Sequence, residues 1–157
     1  MAPAFAFTSC PGTMLVAAGL ATPTIVAENL ATQVLLPGLY KSAANSFEIT
    51  GANLTLDAQG DPSAVWIFQM PASTLTLTTG SCNVILINGA QAANIFWQVG
   101  SSATIGIGCD LEGTILANTS ITLNGGATIN GRSLAGAVTA TGAQTMDSNK
   151  VSLPLCN

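Results

Sequence analysis

Ser102-Ala103-Thr104-Ile105-Gly106 and, after a glycine corner at Gly108, Ser120-Ile121-Thr122-Leu123-Asn124 are the stretches that decide the fold. In both runs a small polar residue alternates with an apolar one, the period of a strand with one buried face. Three further runs fall into register with them: Ser46-Phe47-Glu48-Ile49-Thr50, Thr74-Leu75-Thr76-Leu77-Thr78 and Ala137-Val138-Thr139-Ala140-Thr141. A glycine follows each, at Gly51, Gly80, Gly108, Gly126 and Gly142, and supplies the backbone freedom of a sharp corner. A second alternating run then follows, at 53–57, 83–87, 110–112, 128–130 and 145–147. In the first four laps a third run comes next, at 65–70, 95–99, 114–117 and 133–135. Three straight segments per lap imply a triangular coil.

The middle positions, 48, 76, 104, 122 and 139, are separated by 28, 28, 18 and 17 residues. The two long laps carry extra turn chemistry at Gly60-Asp61-Pro62 and Asn88-Gly89. A lap of this size cannot bury its own apolar face, so laps must stack on one another through parallel backbone pairing. The expected fold is therefore an all-β solenoid, a parallel β-helix that the crossover rule makes right-handed.

The inward residues of the first strands are then Phe47 and Ile49, Leu75 and Leu77, Ala103 and Ile105, Ile121 and Leu123, Val138 and Ala140. The outward residues form three columns: Ser46, Thr74, Ser102, Ser120, Ala137; Glu48, Thr76, Thr104, Thr122, Thr139; and Thr50, Thr78, Gly106, Asn124, Thr141. Rungs of a parallel sheet lie about 4.8 Å apart and outward neighbours along a strand about 6.7 Å apart. Each threonine offers a hydroxyl and a methyl on a stiff β-branched stem. A grid of such groups at spacings close to oxygen separations on ice planes is suited to ordering water. Any single outward threonine is explained by β propensity; for an aligned column of four, broken only by Glu48, that explanation weakens, since a merely soluble face would be expected to include Lys or Glu.

Composition narrows the alternatives. Of 157 residues, only 3 are Lys or Arg and 7 Asp or Glu, with no histidine and a net charge of −4. Nothing here would neutralise a nucleic-acid backbone or an anionic membrane. Histidine-dependent nucleophile pairs and imidazole metal sites are excluded, and no cofactor is expected. The chain is 48% hydrophobic, yet no apolar stretch approaches the ~20 residues that span a bilayer. Acids Asp57, Asp110, Glu112 and Asp147 point outward on the second strands. Asp110 and Glu112 share a direction, so a carboxylate pair for glycan cleavage or a Ca²⁺ site competes with the simpler reading of solvated charges.

The third strands are apolar on both sides, around Trp66, Ile67, Phe68, Phe96, Trp97, Leu116 and Leu134. Their outer side requires a cover, most simply a short helix packed along that face. Residues 14–36 are the available segment, with 24–36 (TIVAENLATQVLL) read as helical after Pro23 and Thr24 as its cap. This divides the chain into an N-terminal segment, 1–36, leader-like at 1–22, and a β-helix, 37–157. Cys82 and Cys109 occupy equivalent corners of adjacent laps, within reach of a disulfide; Cys10 and Cys156 pair only if the two ends meet. Sequons at Asn53 and Asn118 would accept glycans in a host that glycosylates.

Several runs carry a resemblance: Leu36-Pro37-Gly38-Leu39-Tyr40-Lys41; Ala64-Val65-Trp66-Ile67-Phe68-Gln69-Met70; residues 88–100 (NGAQAANIFWQVG); Glu112-Gly113-Thr114-Ile115-Leu116-Ala117; Asn130-Gly131-Arg132; and Met146-Asp147-Ser148-Asn149. Over residues 25–151 the chain resembles the microbial ice-binding (antifreeze) protein family with the DUF3494 domain. The resemblance implies a secreted, discontinuous right-handed β-helix with a long helix alongside, controlling ice growth from one flat face without turnover. It does not say which face. In that family, coils and most of the helix precede the Pro-Gly-Leu-Tyr stretch, where only 36 dissimilar residues stand here. A shortened N-terminal part, or a second chain completing the stack over the apolar face, is expected accordingly. The competing functions are a secreted glycan-binding or glycan-cleaving β-helix and a structural adhesin module.

Overall fold

A computed structural model of the chain describes residues 22–78, 80–136 and 141–154. Seventeen short strands, each paired in parallel, wind through it as β1 (Thr24–Val26), β2 (Val34–Leu35), β3 (Gly38–Ser42), β4 (Phe47–Ile49), β5 (Leu54–Asp57), β6 (Trp66–Met70), β7 (Leu75–Leu77), β8 (Val84–Ile87), β9 (Ile95–Val99), β10 (Ala103–Ile105), β11 (Asp110–Glu112), β12 (Thr114–Ala117), β13 (Ile121–Leu123), β14 (Thr128–Asn130), β15 (Ser133–Ala135), β16 (Gln144–Met146) and β17 (Lys150–Ser152). They form the three sides of a coil. One side is the sheet β1-β3-β6-β9-β12-β15 and the second is β16-β13-β10-β7-β4. The third is divided into β2-β5-β8 and β11-β14-β17.

The corners follow from glycine. Gly51, Gly80, Gly108 and Gly126 all have positive φ, with open space where a Cβ would stand. Conformation, not crowding, demands glycine there.

Alternation fills the core. Phe47, Ile49, Leu75, Leu77, Ala103, Ile105, Ile121 and Leu123 are buried, while the residues between them are not. From the first side, Tyr40, Phe68 and Trp97 are aligned on successive rungs. Their rings stack, Tyr40 on Phe68 at 5.5 Å and Phe68 on Trp97 at 4.1 Å between centroids, with Phe47 edge-on to Phe68 at 5.8 Å. Each buried ring contributes about 1.5–3 kcal/mol through removal of apolar area from water. Their polar atoms are satisfied across the coil: the Trp66 indole donates to Leu35 O (3.2 Å), that of Trp97 to Glu112 O (2.9 Å), and the Tyr40 hydroxyl to Leu36 O (2.6 Å). These bonds tie the first side to the third.

Two expectations are corrected. Residues 24–36 are not helical: β1 pairs with β3, β2 with β5, and Asn29 bridges Glu48, so the segment is a coil of the solenoid ahead of residue 37. Backbone pairing with the next lap offers Thr24–Val26 and Val34–Leu35 partners that a short isolated helix would lack. The Asn29 side chain fastens the corner, donating to Thr50 O (3.2 Å) and accepting from Ala31 N (3.0 Å). The one helical element among the described residues is a 3₁₀ turn, Ala92–Asn94.

The second correction concerns the last lap. Ile121, Thr122 and Leu123 lie opposite Gln144, Thr145 and Met146. The rung is therefore 144–146 rather than 137–141, and Thr145 continues the central column. Thr141 belongs to the connection between β15 and β16, whose ends approach so closely that a Cβ on Gly142 would meet Gly136 N at 2.1 Å. Thr139 lies outside the described residues, as do Cys10, Cys156 and the leader-like stretch up to residue 21. At this end of the stack Met146 and Val151, inward by register, remain 50% and 39% exposed.

Candidate functional site

The second side is the regular one. Glu48, Thr76, Thr104, Thr122 and Thr145 stand in one register across five rungs. On one flank run Ser46, Thr74, Ser102 and Ser120, linked rung to rung by backbone bonds: Phe47 N donates to Thr74 O, Leu75 N to Ser102 O and Ala103 N to Ser120 O. The Ser102 and Ser120 hydroxyls are hydrogen-bonded at 2.9 Å. On the other flank run Thr50, Thr78, Gly106 and Asn124, and the Thr50 and Thr78 hydroxyls bond to one another.

Gly106 interrupts that flank for a geometric reason. A Cβ there would stand 2.6 Å from Leu77 O and 2.9 Å from Thr78 C, so only glycine lets the laps close at this point. Thr74, Thr76, Thr78, Ser102, Thr104, Gly106, Ser120, Thr122 and Asn124 thus make a three-by-three block without a formal charge. Beyond it, Asp147 occupies the position after Met146 in the last rung, on this side and not on the acid-bearing third side.

The third side is built differently. The pairing ladder breaks between β8 and β11, where the Asn83 side chain takes over, its Oδ1 accepting from Asp110 N at 3.0 Å; one lap earlier, beside the intact β5–β8 pairing, Asn83 N donates to Asn53 Oδ1 at 3.0 Å. This engages the side chain of the Asn53 sequon in the corner. A disulfide between Cys82 and Cys109, Cα atoms 5.3 Å apart, spans the same break. One cause is lap length. β8 leads into the loop 88–94, which packs on the preceding loop, 58–64, through Gly60 N to Asn88 O (2.8 Å) and Asn94 Nδ2 to Pro62 O (3.0 Å). By contrast β11 turns at once into β12 through Gly113, φ +109°.

Above the break the outward residues mix exposed apolar Val34, Ile85 and Ile87 with Thr55 and Asp57; below it they are polar. There Thr128 donates to Asp110, and Asn130 Nδ2 donates to Glu112 Oε2 at 2.8 Å. Burial holds the Glu112 carboxyl above its ordinary range; Asp110 adds to this and the Asn130 bond opposes it. Each carboxylate is thus engaged by its rung neighbour below, an arrangement that explains both without a substrate. Among the described residues no group of three His, Cys, Asp or Glu could hold a metal ion. Trp66 and Trp97 are fully buried and offer no sugar platform. A cleft of about 500 Å³ lies by the break, lined by Leu86, Ala90, Ala92, Asn130, Ser152 and Leu153 among others, without an ionisable group.

Comparison with known proteins gives a consistent result. Residues 12–152 match the family described as "Ice-binding-like". An ice-binding protein of Nostoc sp. (strain HG1) is 50% identical over 119 residues, 75% of this chain and 41% of that protein. Among solved structures, the ice-binding protein of the Antarctic ascomycete Antarctomyces psychrotrophicus superposes with a TM-score of 0.71 at 40% identity, over 85% of this chain and 62% of the other. The DUF3494 domain of Shewanella frigidimarina ice-binding protein 1 does so with a TM-score of 0.77 at 30% identity, over 87% and 55%. This chain therefore spans about half the length of the proteins it matches. By the extent of that match and the stacked parallel coils beneath it, the chain belongs to the ice-binding-like family.

Proposed function

We propose that this chain binds ice through the side formed by β4, β7, β10, β13 and β16, and thereby inhibits ice growth and recrystallisation. The observation that carries the reading is the register Thr76–Thr104–Thr122–Thr145, flanked by Ser102, Ser120, Thr78 and Asn124. Parallel pairing fixes the rungs about 4.8 Å apart, and the pleat sets the second spacing near 6.7 Å. The hydroxyls anchor water while the methyls deny it bulk-like partners, and the stiff χ1 of threonine leaves little entropy to lose on contact. Water held in such a layer merges with the crystal. Growth between bound molecules then proceeds on a curved front, which is unfavourable.

The role is adsorption, without catalytic turnover. Family membership, the uncharged block in continuous register and the bonding of Asp110 and Glu112 to their rung neighbours all favour it over glycan cleavage. The Cys82–Cys109 disulfide suits an oxidising, extracellular setting.

Thermal hysteresis and recrystallisation assays on Thr104→Tyr and Thr122→Tyr test the reading, with circular dichroism to verify folding. Loss of most activity in both is expected. Parent-level activity in two well-folded variants would remove this side from consideration.

A further inference from the structure

The uncharged block ends abruptly at the lap of β4, and it ends at one residue. Ser46 and Thr50 continue the two flanking columns into that lap, and the Thr50 hydroxyl is bonded to that of Thr78. The row is therefore already present at both edges. Only its centre departs, where Glu48 stands in register with Thr76. On the far side of Glu48 the lattice does not resume: Asn29 is its partner, and Ser46 donates its hydroxyl to Glu28.

We propose that Glu48 sets the N-terminal limit of the water-ordering face, so that a complete row for ice contact is held out of use by a single side chain. This rests on the reading of β4, β7, β10, β13 and β16 as the ice-binding side. The physical reason is the contrast between the two groups. A carboxylate accepts short, charge-assisted hydrogen bonds whose directions follow its charge, not a neighbouring lattice. Its longer side chain also retains rotamer freedom that contact would have to remove. Threonine at the same place presents the hydroxyl–methyl pair of Thr76, one rung further along. The backbone there already has the strand geometry that β-branched residues favour.

The test uses the full chain and three substitutions. Glu48→Thr enlarges the block from three complete rows to four; with contributions summing lap by lap, hysteresis at equal concentration should rise by about a third or more. Thr76→Glu moves the limit inward by one lap, and should remove at least about a third of the activity on the same additive basis. Thr104→Tyr, made in the parent and in Glu48→Thr, reports on the face itself. Should Glu48→Thr fold poorly, as judged by circular dichroism and melting, Thr76→Glu decides alone.

If Thr104→Tyr abolishes activity while folded Glu48→Thr stays at the parent level, or Thr76→Glu does, the assigned limit is wrong and the face stands. If Thr104→Tyr retains activity, the face itself is wrong. A gain in Glu48→Thr that Thr104→Tyr then abolishes supports both.

Discussion

The second and third sides of this coil are made from the same kind of strand, yet only one presents a lattice. Along the second, backbone pairing is continuous from β4 to β16, and the central outward threonine repeats on every rung from β7 to β16. Along the third, pairing stops between β8 and β11, and the outward chemistry changes from Ile85 and Ile87 to Asp110 and Glu112 across the gap. Lap length underlies the difference. Long laps place their extra residues after the third side, at 58–64 and 88–94, so that side absorbs the change to short laps while the second does not feel it. Periodic surface chemistry needs an uninterrupted ladder beneath it.

The largest test of this contrast is the disulfide. Replacing Cys82 and Cys109 together by serine releases a loop with a sequence separation of 27, and chain entropy gives a loss of roughly 3–4 kcal/mol. Hydrogen exchange should show the loss first in β8 and β11, with β7 and β10 retaining protection. Uniform loss over both sides would mean that the covalent link does not compensate specifically for the broken ladder.

A smaller effect is expected on the continuous side. Gly106→Thr would complete the flank chemically, but its Cβ would press on Leu77 O and Thr78 C. We expect a cost of about 1–3 kcal/mol in denaturant melts, as for other overpacked sites, and no gain in hysteresis. A stable variant with higher activity would show that the closeness of the laps there is not limiting.

The smallest effect concerns Glu112. Its carboxyl titrates above its ordinary range when folded, chiefly because burial disfavours the charge. The folded state therefore binds the proton more tightly than the unfolded one. Stability from this group is full below its unfolded pKa, near 4.5, and is lost as pH rises through the raised folded value. Glu112→Gln should flatten that part of the pH–stability curve and leave ice activity unchanged, since Glu112 is not on the second side. A pH–stability curve as steep as the parent's would assign the dependence to another acid.

Much of this was legible in the amino-acid sequence, and the exceptions share a cause. Alternation between core and solvent fixed the rungs from Phe47 to Asn130, because each inward Leu, Ile or Phe there meets another on the next lap. Where that constraint lapses, side chains carry little signal. In Thr24–Val26 and Val34–Leu35 only Val26 and Leu35 meet the core while Thr24, Ile25 and Val34 are exposed, too few positions to show a strand period, so a helix was the natural expectation. Thr139 and Thr141 alternate as a strand would, yet the paired rung is Gln144–Met146, where two inward positions are exposed at the end of the stack and need not be apolar. The break between β8 and β11 is a backbone event, visible only in Asn83 and the two cysteines that bridge it. The central column was readable for Thr76, Thr104 and Thr122; Thr145 was hidden by the shifted last lap.

At the rung of β16 and β17, Met146 and Val151 leave their inward faces exposed. Because each strand bonds only to the laps on either side, and among the described residues nothing stacks beyond Met146 and Val151, the rung of β16 and β17 is held more weakly than the ringed middle around Phe68 and Trp97. Within the threonine row, Thr145 should therefore lose its order before Thr76 and Thr104, which stand beside the laps joined by the disulfide.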